Sequence, residues 1–452
     1  MATLVRLALL APLTLLAPQA HASRCVDEAH VDSAPAASGQ AQQAPPADPR
    51  SQLQTLVAQA LARSESLGAA RLLAEAAGQD TEEVRASKKI QASIGGSVGP
   101  ALSHSANVNE HSLVQLRGNF SLSQLLYDGG RSDRLIDWRS RIADAAQLGQ
   151  LNLQEQLALN TVALSFERSR YRMQAQVWGQ HVRKMGCLVE ALEQIVAADK
   201  GRLSELVQAQ KSMQQAELSQ VQSVSAARQI EVRLRRLVGD GLPTVDGLAT
   251  LMLAVPDLPG LQAQAERSVE IAQLDAQTAA LTQYARAVEA GNKPQLSWTV
   301  GANQNLAMGG NLAGAAGRST SLSAGVAINV PLLSPGITAS TDAARKRAQA
   351  AALQRSDALE SRRARLAETH EQASSAFDRV RRTGEVLRDS ERVRNFTLQQ
   401  WQQLGRRSLF DVMAAESDHY NLRVAYVNAL HDGQQMNTIL TSLGPGLSTW
   451  LK

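Results

Sequence analysis

Residues 321–330, SLSAGVAINV, alternate without a break. On an extended chain Leu322, Ala324, Val326, Ile328 and Val330 share one side, while Ser321, Ser323, Gly325, Ala327 and Asn329 share the other. Three more stretches obey the same rule. Leu296, Trp298, Val300 and Ala302 alternate with Gln295, Ser297, Thr299, Gly301 and Asn303. Val114, Leu116, Gly118, Phe120 and Leu122 alternate with Gln115, Arg117, Asn119, Ser121 and Ser123. From Ile90 to Leu102 the even positions include Ile94 and Val98, and the odd ones are Gln91, Ser93, Gly95, Ser97, Gly99 and Ala101. The pattern predicts four strands, each with one apolar face and one small, polar, mostly uncharged face.

Soluble sandwiches also alternate, so the chemistry of the faces has to decide. The strands run to about 10 residues or more, the length that crosses a bilayer with tilt. Their polar face is built from Ser, Asn, Gln and Thr, as a water-filled lumen requires, rather than from the Lys and Glu of a solvated surface. The lipid-facing candidates are Ile94, Val98, Leu116, Phe120, Leu122, Trp298, Val300, Leu322, Val326 and Ile328, with Phe120, Tyr127 and Trp298 as a sparse aromatic girdle. Four strands are too few for a membrane barrel, which needs about eight. Open edges inside lipid leave backbone groups unpaired. Copies of the chain must therefore close the barrel; three give about 12 strands and are favoured, with two or four as alternatives.

Helices flank the strands. No proline falls between Gly130 and Pro243. From Arg131 to about Ala197, Ile136, Ala143, Leu157, Leu164, Tyr171, Trp178, Met185 and Leu192 keep a seven-residue register interrupted by Gln150. From Ile337 to about Gln400, Ala352, Leu359, Leu366, Ala373, Val380 and Leu387 keep another. Such spacing packs helices side by side in a coiled-coil manner, and a helix of this length spans roughly 100 Å. Returning helices are expected from Leu203 to Val238 and from Arg407 to Leu443, and leading helices from Gln52 to Arg85 and from Leu258 to Ala290. At the corners Tyr127-Asp128-Gly129-Gly130 and Ser334-Pro335-Gly336, Gly and Pro supply unusual backbone angles. The far loops are His104 to Ser112 and the Gly-rich Leu306 to Arg318.

The unit is written twice. Lys89-Ile90-Gln91-Ala92-Ser93-Ile94 matches Lys293-Pro294-Gln295-Leu296-Ser297-Trp298 at a shift of 204, and Gly201-Arg202-Leu203-Ser204 matches Gly405-Arg406-Arg407-Ser408 at the same shift. Gln124 to Gly129 matches Pro331 to Gly336 at 207, and Leu237-Val238-Gly239 matches Ser442-Leu443-Gly444 at 205. Ordered matches at nearly one shift identify a tandem duplication. The organisation read from the sequence is a signal peptide at 1–22, a flexible leader at 23–50, a first helix-hairpin-helix repeat at 51–240, a Gly/Pro-rich linker or equatorial segment at 241–257, a second repeat at 258–444 and a C-terminal tail at 445–452. The signal rests on Arg6, the apolar run Leu7 to Ala17 and the Ala20-His21-Ala22 cleavage site. Arg24 spoils a lipoprotein box before Cys25.

Composition excludes other classes. The 452 residues carry 46 Lys+Arg against 42 Asp+Glu, a net charge of +4, too balanced for a nucleic-acid binder. Two cysteines, Cys25 and Cys187, exclude a disulfide scaffold and a four-cysteine zinc site, and are most simply unpaired. Gly95-Gly96-Ser97-Val98-Gly99 matches a nucleophile elbow, but that elbow needs a strand-to-helix turn and these residues sit inside a strand. His104 and His111 read as solvated loop histidines. The eight histidines include no H-E-x-x-H pair, so no metal or cofactor is expected; no phosphate-binding loop is present, so energy must come from a partner, and the chain reads as a non-enzyme.

The duplicated unit resembles the TolC family of outer-membrane efflux and secretion channels over about Gln52 to Gly444. The most specific stretch is Leu404-Gly405-Arg406-Arg407-Ser408-Leu409-Phe410-Asp411-Val412-Met413-Ala414-Ala415-Glu416; Val330-Pro331-Leu332-Leu333 with Gly336 matches the family's last strand end. The resemblance implies an α+β membrane protein: a trimeric 12-strand outer-membrane β-barrel continued by a long periplasmic α-helical barrel. It implies as partners a periplasmic adaptor (membrane fusion protein) and an inner-membrane ABC transporter or proton-driven pump. It places adaptor contacts at the tip turns Gly201, Arg202, Leu203, Ser204 and Gly405, Arg406, Arg407, Ser408, and the periplasmic entrance at Asp411. Ala414 stands where some members carry a second acidic residue. Type I protein secretion and small-molecule efflux compete as cargo readings; the segment Asp199 to Leu206 resembles secretion-linked members. A periplasmic coiled-coil adaptor is the rival of another class, disfavoured because adaptors carry one helical hairpin where this chain has two.

Overall fold

The computed structural model describes residues 48–105, 108–243, 247–308, 317–404 and 407–452. The expected signal peptide, most of the leader, the tip residues Gly405 and Arg406, and the Gly-rich stretch 309–316 lie outside the described residues. The element order repeats as the duplication requires. The first copy is α1 (Pro49–Arg63), α2 (Glu65–Ala86), β1 (Gln91–Ser105), β2 (Val108–Tyr127), α3 (Arg131–Ala198) and α4 (Leu203–Val238). The second is α5 (Leu258–Ala265), α6 (Val269–Glu289), β3 (Gln295–Met308), β4 (Arg318–Asn329), α7 (Pro335–Leu404) and α8 (Leu409–Leu443), followed by α9 (Leu447–Leu451).

Three sequence expectations are corrected here. Each leading helix is two helices. Ser64 leaves the helical region (φ −73°, ψ 106°) and its side chain accepts from Leu67 N, so it starts α2 as an N-cap. Ser268 breaks the second copy in the same place with an extended backbone. The expected loop His104 to Ser112 is largely strand, because the β1–β2 ladder continues through Ser103↔His111 to Ser105↔Val108. Gly336 needs no special angle: α7 begins at Pro335, and among the described residues the left-handed glycines include Gly129 and Gly130 but not Gly336. Proline at the first helical turn starts that helix by fixing φ.

The described residues form two compact units, and each draws on both repeats. One contains Tyr171–Ala226 and Arg382–Val427. Its core brings Met185, Leu188, Val189 and Leu192 of α3 against Leu206 and Ala209 of α4 and Leu409, Val412 and Met413 of α8, with Leu398 and Trp401 of α7 alongside. Met185 and Leu192, the last two positions of the first seven-residue register, are fully buried. Cys187 in this unit is disulfide-bonded rather than unpaired; Cys25 lies outside the described residues.

The other unit contains Asp48–Arg170, Ala227–Arg381 and Asn428–Lys452. Leu53 and Val57 of α1 pack with Ala158, Val162 and Phe166 of α3 and with Leu447 and Leu451 of α9. The chain end is thus a packed helix. Glu155 fixes it by accepting from Leu447 N and Ser448 N. Leu366 and Ala373, from the second register, pack with Leu261, Ala265 and Leu440. The linker is tied to α8: the buried Gln434 side chain donates to the carbonyls of Leu248 and Leu251 (2.9 Å each), and Asn437 Nδ2 to those of Met252 (2.6 Å) and Ala254 (3.1 Å). Met252 is held at φ 55°, a left-handed angle that costs a non-glycine residue energy.

The sheet also lies in this unit, antiparallel in the order β1-β2-β3-β4. β1 and β4 are therefore open edges within one chain.

Candidate channel-forming surfaces

The register sorts the sheet's side chains by face, since paired residues share a side. Ile94, Phe120, Ala302 and Leu322 lie abreast. So do Val98, Leu116 and Leu306; Ala92, Leu122, Val300 and Ala324; and Gln124, Trp298 and Val326. All ten sequence-predicted apolar positions fall on this one face. Among the described residues, none covers most of it. Ile94 is 86% exposed, Val98 69%, Leu322 80%, Val326 63% and Ile328 70%; every residue of β4 is exposed. An apolar patch of this extent does not persist in water.

A β-bulge between Leu125 and Tyr127 extends this face toward the helices. It moves Tyr127 into register with Leu296 and Ile328. Period-two reading alone puts Tyr127 on the polar side; one extra residue re-aims it. Trp298 Nε1 donates to Gln124 Oε1 at 3.3 Å, giving its polar edge a partner beside the apolar row.

The opposite face is mostly polar, with Leu125 and Ala327 beside Ser297 at its helix end. Ser93, Ser121, Gly301 and Ser323 form one row, and Gly95, Asn119, Asn303 and Ser321 the next. Ser93 and Ser121 hydroxyls are 2.7 Å apart. Ser97 pairs with Arg117 inside the ladder, so Gly95 to Gly99 forms plain strand and no nucleophile elbow.

The strand-to-helix corner after β2 is specified residue by residue. Asp128 is buried; its carboxylate accepts from Gly130 N (3.1 Å) and Ser132 N (2.6 Å), capping α3. Gly129 sits at φ 67°, and a Cβ there would come 2.4 Å from Lys293 Cβ. Glycine is required on both counts.

At the helical tips, Asp199 caps a single 3-10 turn, Lys200–Arg202, by accepting from Gly201 N at 2.9 Å. Gly201 and Arg202 form this turn; Leu203 and Ser204 already open α4 and are exposed. In the second hairpin Arg407 donates to Gln400 Oε1 (3.2 Å), and Ser408 and Asp411 form a reciprocal cap. Ser408 N donates to Asp411 Oδ2 (3.1 Å) while Asp411 N donates to Ser408 Oγ (3.2 Å). Leu409 beside them is buried and Phe410 is 46% exposed. Leu206 and Leu409 share one core, so both turns stand on common packing.

Sequence reasoning passed over a buried polar cluster in the same unit. His181 of α3 stacks on Tyr420 of α8 (4.6 Å between ring centroids), with Trp178 at 5.9 Å and His419 edge-on to Tyr420 at 5.5 Å. Arg394 of α7 approaches the fully buried Glu416 at 3.8 Å. Neither ring nitrogen of His181 has a hydrogen-bond partner among the described residues. Burial pushes the His181 imidazole down to about 4. His419 is also pushed down to about 4, first by burial and then by Arg394, Arg423 and His181. The only signal for this cluster in the sequence is the three-residue spacing of Trp178 with His181 and of Glu416 with His419.

No protein-family model matches the sequence, and no curated protein matches it by sequence. Solved structures match the fold. CusC, described for conformational changes accompanying folding and transmembrane channel formation, superposes with a TM-score of 0.77 at 19% identity, over 87% of this chain and 92% of that one. A membrane protein from Pseudomonas aeruginosa gives 0.76 at 16% identity, over 87% and 92%. The outer membrane protein VceC from Vibrio cholerae gives 0.73 at 18% identity, over 88% and 96%. The fold is thus one shared with outer-membrane channel proteins, as the resemblance to the TolC family implies.

Proposed function

We propose that the chain is the outer-membrane duct of a tripartite export system. It is located in the outer membrane with a long periplasmic extension, and it conducts solute without chemistry on it. The observation that carries this reading is the sheet: exposed and apolar on one face, polar on the other, open at both edges. Lipid against the apolar face and sister copies at the edges of β1 and β4 satisfy all three at once. Three copies supply twelve strands, within the size range of such barrels. The helical tips, with Gly201 to Ser204 and Gly405 to Ser408, receive the periplasmic adaptor, which links the duct to an inner-membrane ABC transporter or proton-driven pump. Asp411 stands at the entrance, where its charge repeats by symmetry; its cap uses one carboxylate oxygen and leaves the other for solvent or cations.

For cargo we put type I protein secretion first, on the tip segment Asp199 to Leu206 and the absent lipoprotein box at Cys25, with small-molecule efflux second. Co-purification from native membranes separates the two: an ABC transporter is expected, and a proton-driven pump favours efflux. Channel activity itself is read in planar lipid bilayers. Discrete conductance steps are expected from the detergent-extracted protein. Release of the chain by alkaline wash, without any conductance, points instead to a periplasmic adaptor.

A further inference from the structure

The polar face of the sheet carries a single formal charge among its described side chains. Its residues on β1, β3 and β4 are Ser, Gly, Asn, Gln, Thr and Ala; β2 adds Arg117. Arg117 lies in the row Ser97, Arg117, Asn305 and Ser319, none of them acidic. It is exposed, and its Nη2 donates to the neutral Gln115 Oε1 on the same face at 2.7 Å. No carboxylate pairs with it among the described residues. The other strand arginine with a described side chain, Arg318, falls on the opposite face in register with Leu306, its guanidinium against the side-chain amide of Gln304.

We propose that Arg117 makes the barrel lumen favour anionic solutes over cationic ones. The inference rests on the channel reading above. In a closed barrel each chain contributes one guanidinium at the same height, so a cationic ring interrupts an otherwise neutral wall. Rings of arginine raise the local concentration of anions and repel cations. A guanidinium stays charged at every ordinary pH, so this preference does not titrate away. It does respond to salt. The screening length falls from about 10 Å at 0.1 M to about 3 Å at 1 M, so an exposed ring acts across a lumen only when salt is low. Solutes carrying negative charge are then the class the barrel passes most readily.

The test is reversal potential in planar bilayers under a potassium chloride gradient at low salt, for the full-length protein and three variants. Arg117→Gln is expected to lower the chloride-to-potassium permeability ratio by about twofold, and Arg117→Glu by more. Arg318→Gln leaves the ratio unchanged, and all differences shrink toward 1 M salt. Conductance close to wild type in each variant shows that the barrel still assembles. Normal conductance with an unchanged ratio in both Arg117 variants overturns the inference and leaves the channel reading intact. Absence of conductance in the wild-type protein overturns the channel reading, and the inference with it.

Discussion

His181 and His419 set how the helical unit responds to acid. Both imidazoles are neutral in the folded chain and titrate at about 4 there, against an ordinary value of 6.5. Between those values the unfolded chain binds more protons than the folded one. Stability is therefore complete above about pH 6.5 and falls as pH drops toward 4. Thermal unfolding followed by circular dichroism from pH 7.5 to 4.5 should show a falling midpoint. His181→Phe, which keeps a ring on Tyr420 but cannot charge, should flatten that slope; an equally steep slope in the variant would remove His181 as its cause. At the second tip the cap and the charge of Asp411 separate by substitution. Asp411→Ala should cost about 1 kcal/mol and speed amide exchange at residues 408–412, whereas Asp411→Asn keeps an acceptor and loses only the charge. Equal exchange in both variants would show that the cap contributes nothing. Of these residues, only the place of Asp411 at a helix start was legible from its motif. The histidines were not, because periodicity assigns a polar residue on a helix to solvent and says nothing of a ring stacked under a neighbouring helix.

At the scale of elements, the two faces of β4 make opposite predictions for adjacent residues. Leu322→Lys places a charge on the apolar face and should cost about 2–4 kcal/mol of membrane insertion. Ser321→Lys, one residue earlier, faces the polar side and should insert normally. Urea extraction of membranes reads both, and equal extraction of the two variants contradicts the assignment of faces. The linker is a second such element. Asn437→Leu removes both side-chain bonds to Met252 and Ala254 carbonyls and should destabilise the segment by about 1–3 kcal/mol, read as faster proteolysis between residues 247 and 257. Strands and long helices were legible because periods of two and seven are strong and long-lived in this chain. Their interruptions were not: Ser64 and Ser268 look like ordinary surface residues until their extended backbones are seen, and the bulge at Leu125 leaves no mark on composition. Likewise the linker reads as a loose Gly/Pro stretch, since the groups that hold it, Gln434 and Asn437, lie about 180 residues away.

For the whole molecule, the duplication explains why each compact unit is assembled from both repeats: each copy supplies one hairpin to the sheet and one helical pair to the tips. Both edges of the resulting four-stranded sheet, β1 and β4, are open within one chain. An uncovered apolar face and two open edges are unfavourable both in water and in lipid. The central claim is that copies of the chain complete it, and native mass measurement of the protein extracted from membranes in mild detergent tests this most directly. A particle of three chains is expected, losing its assembly when Leu322 is charged. A monodisperse single chain that stays soluble without detergent would contradict the account.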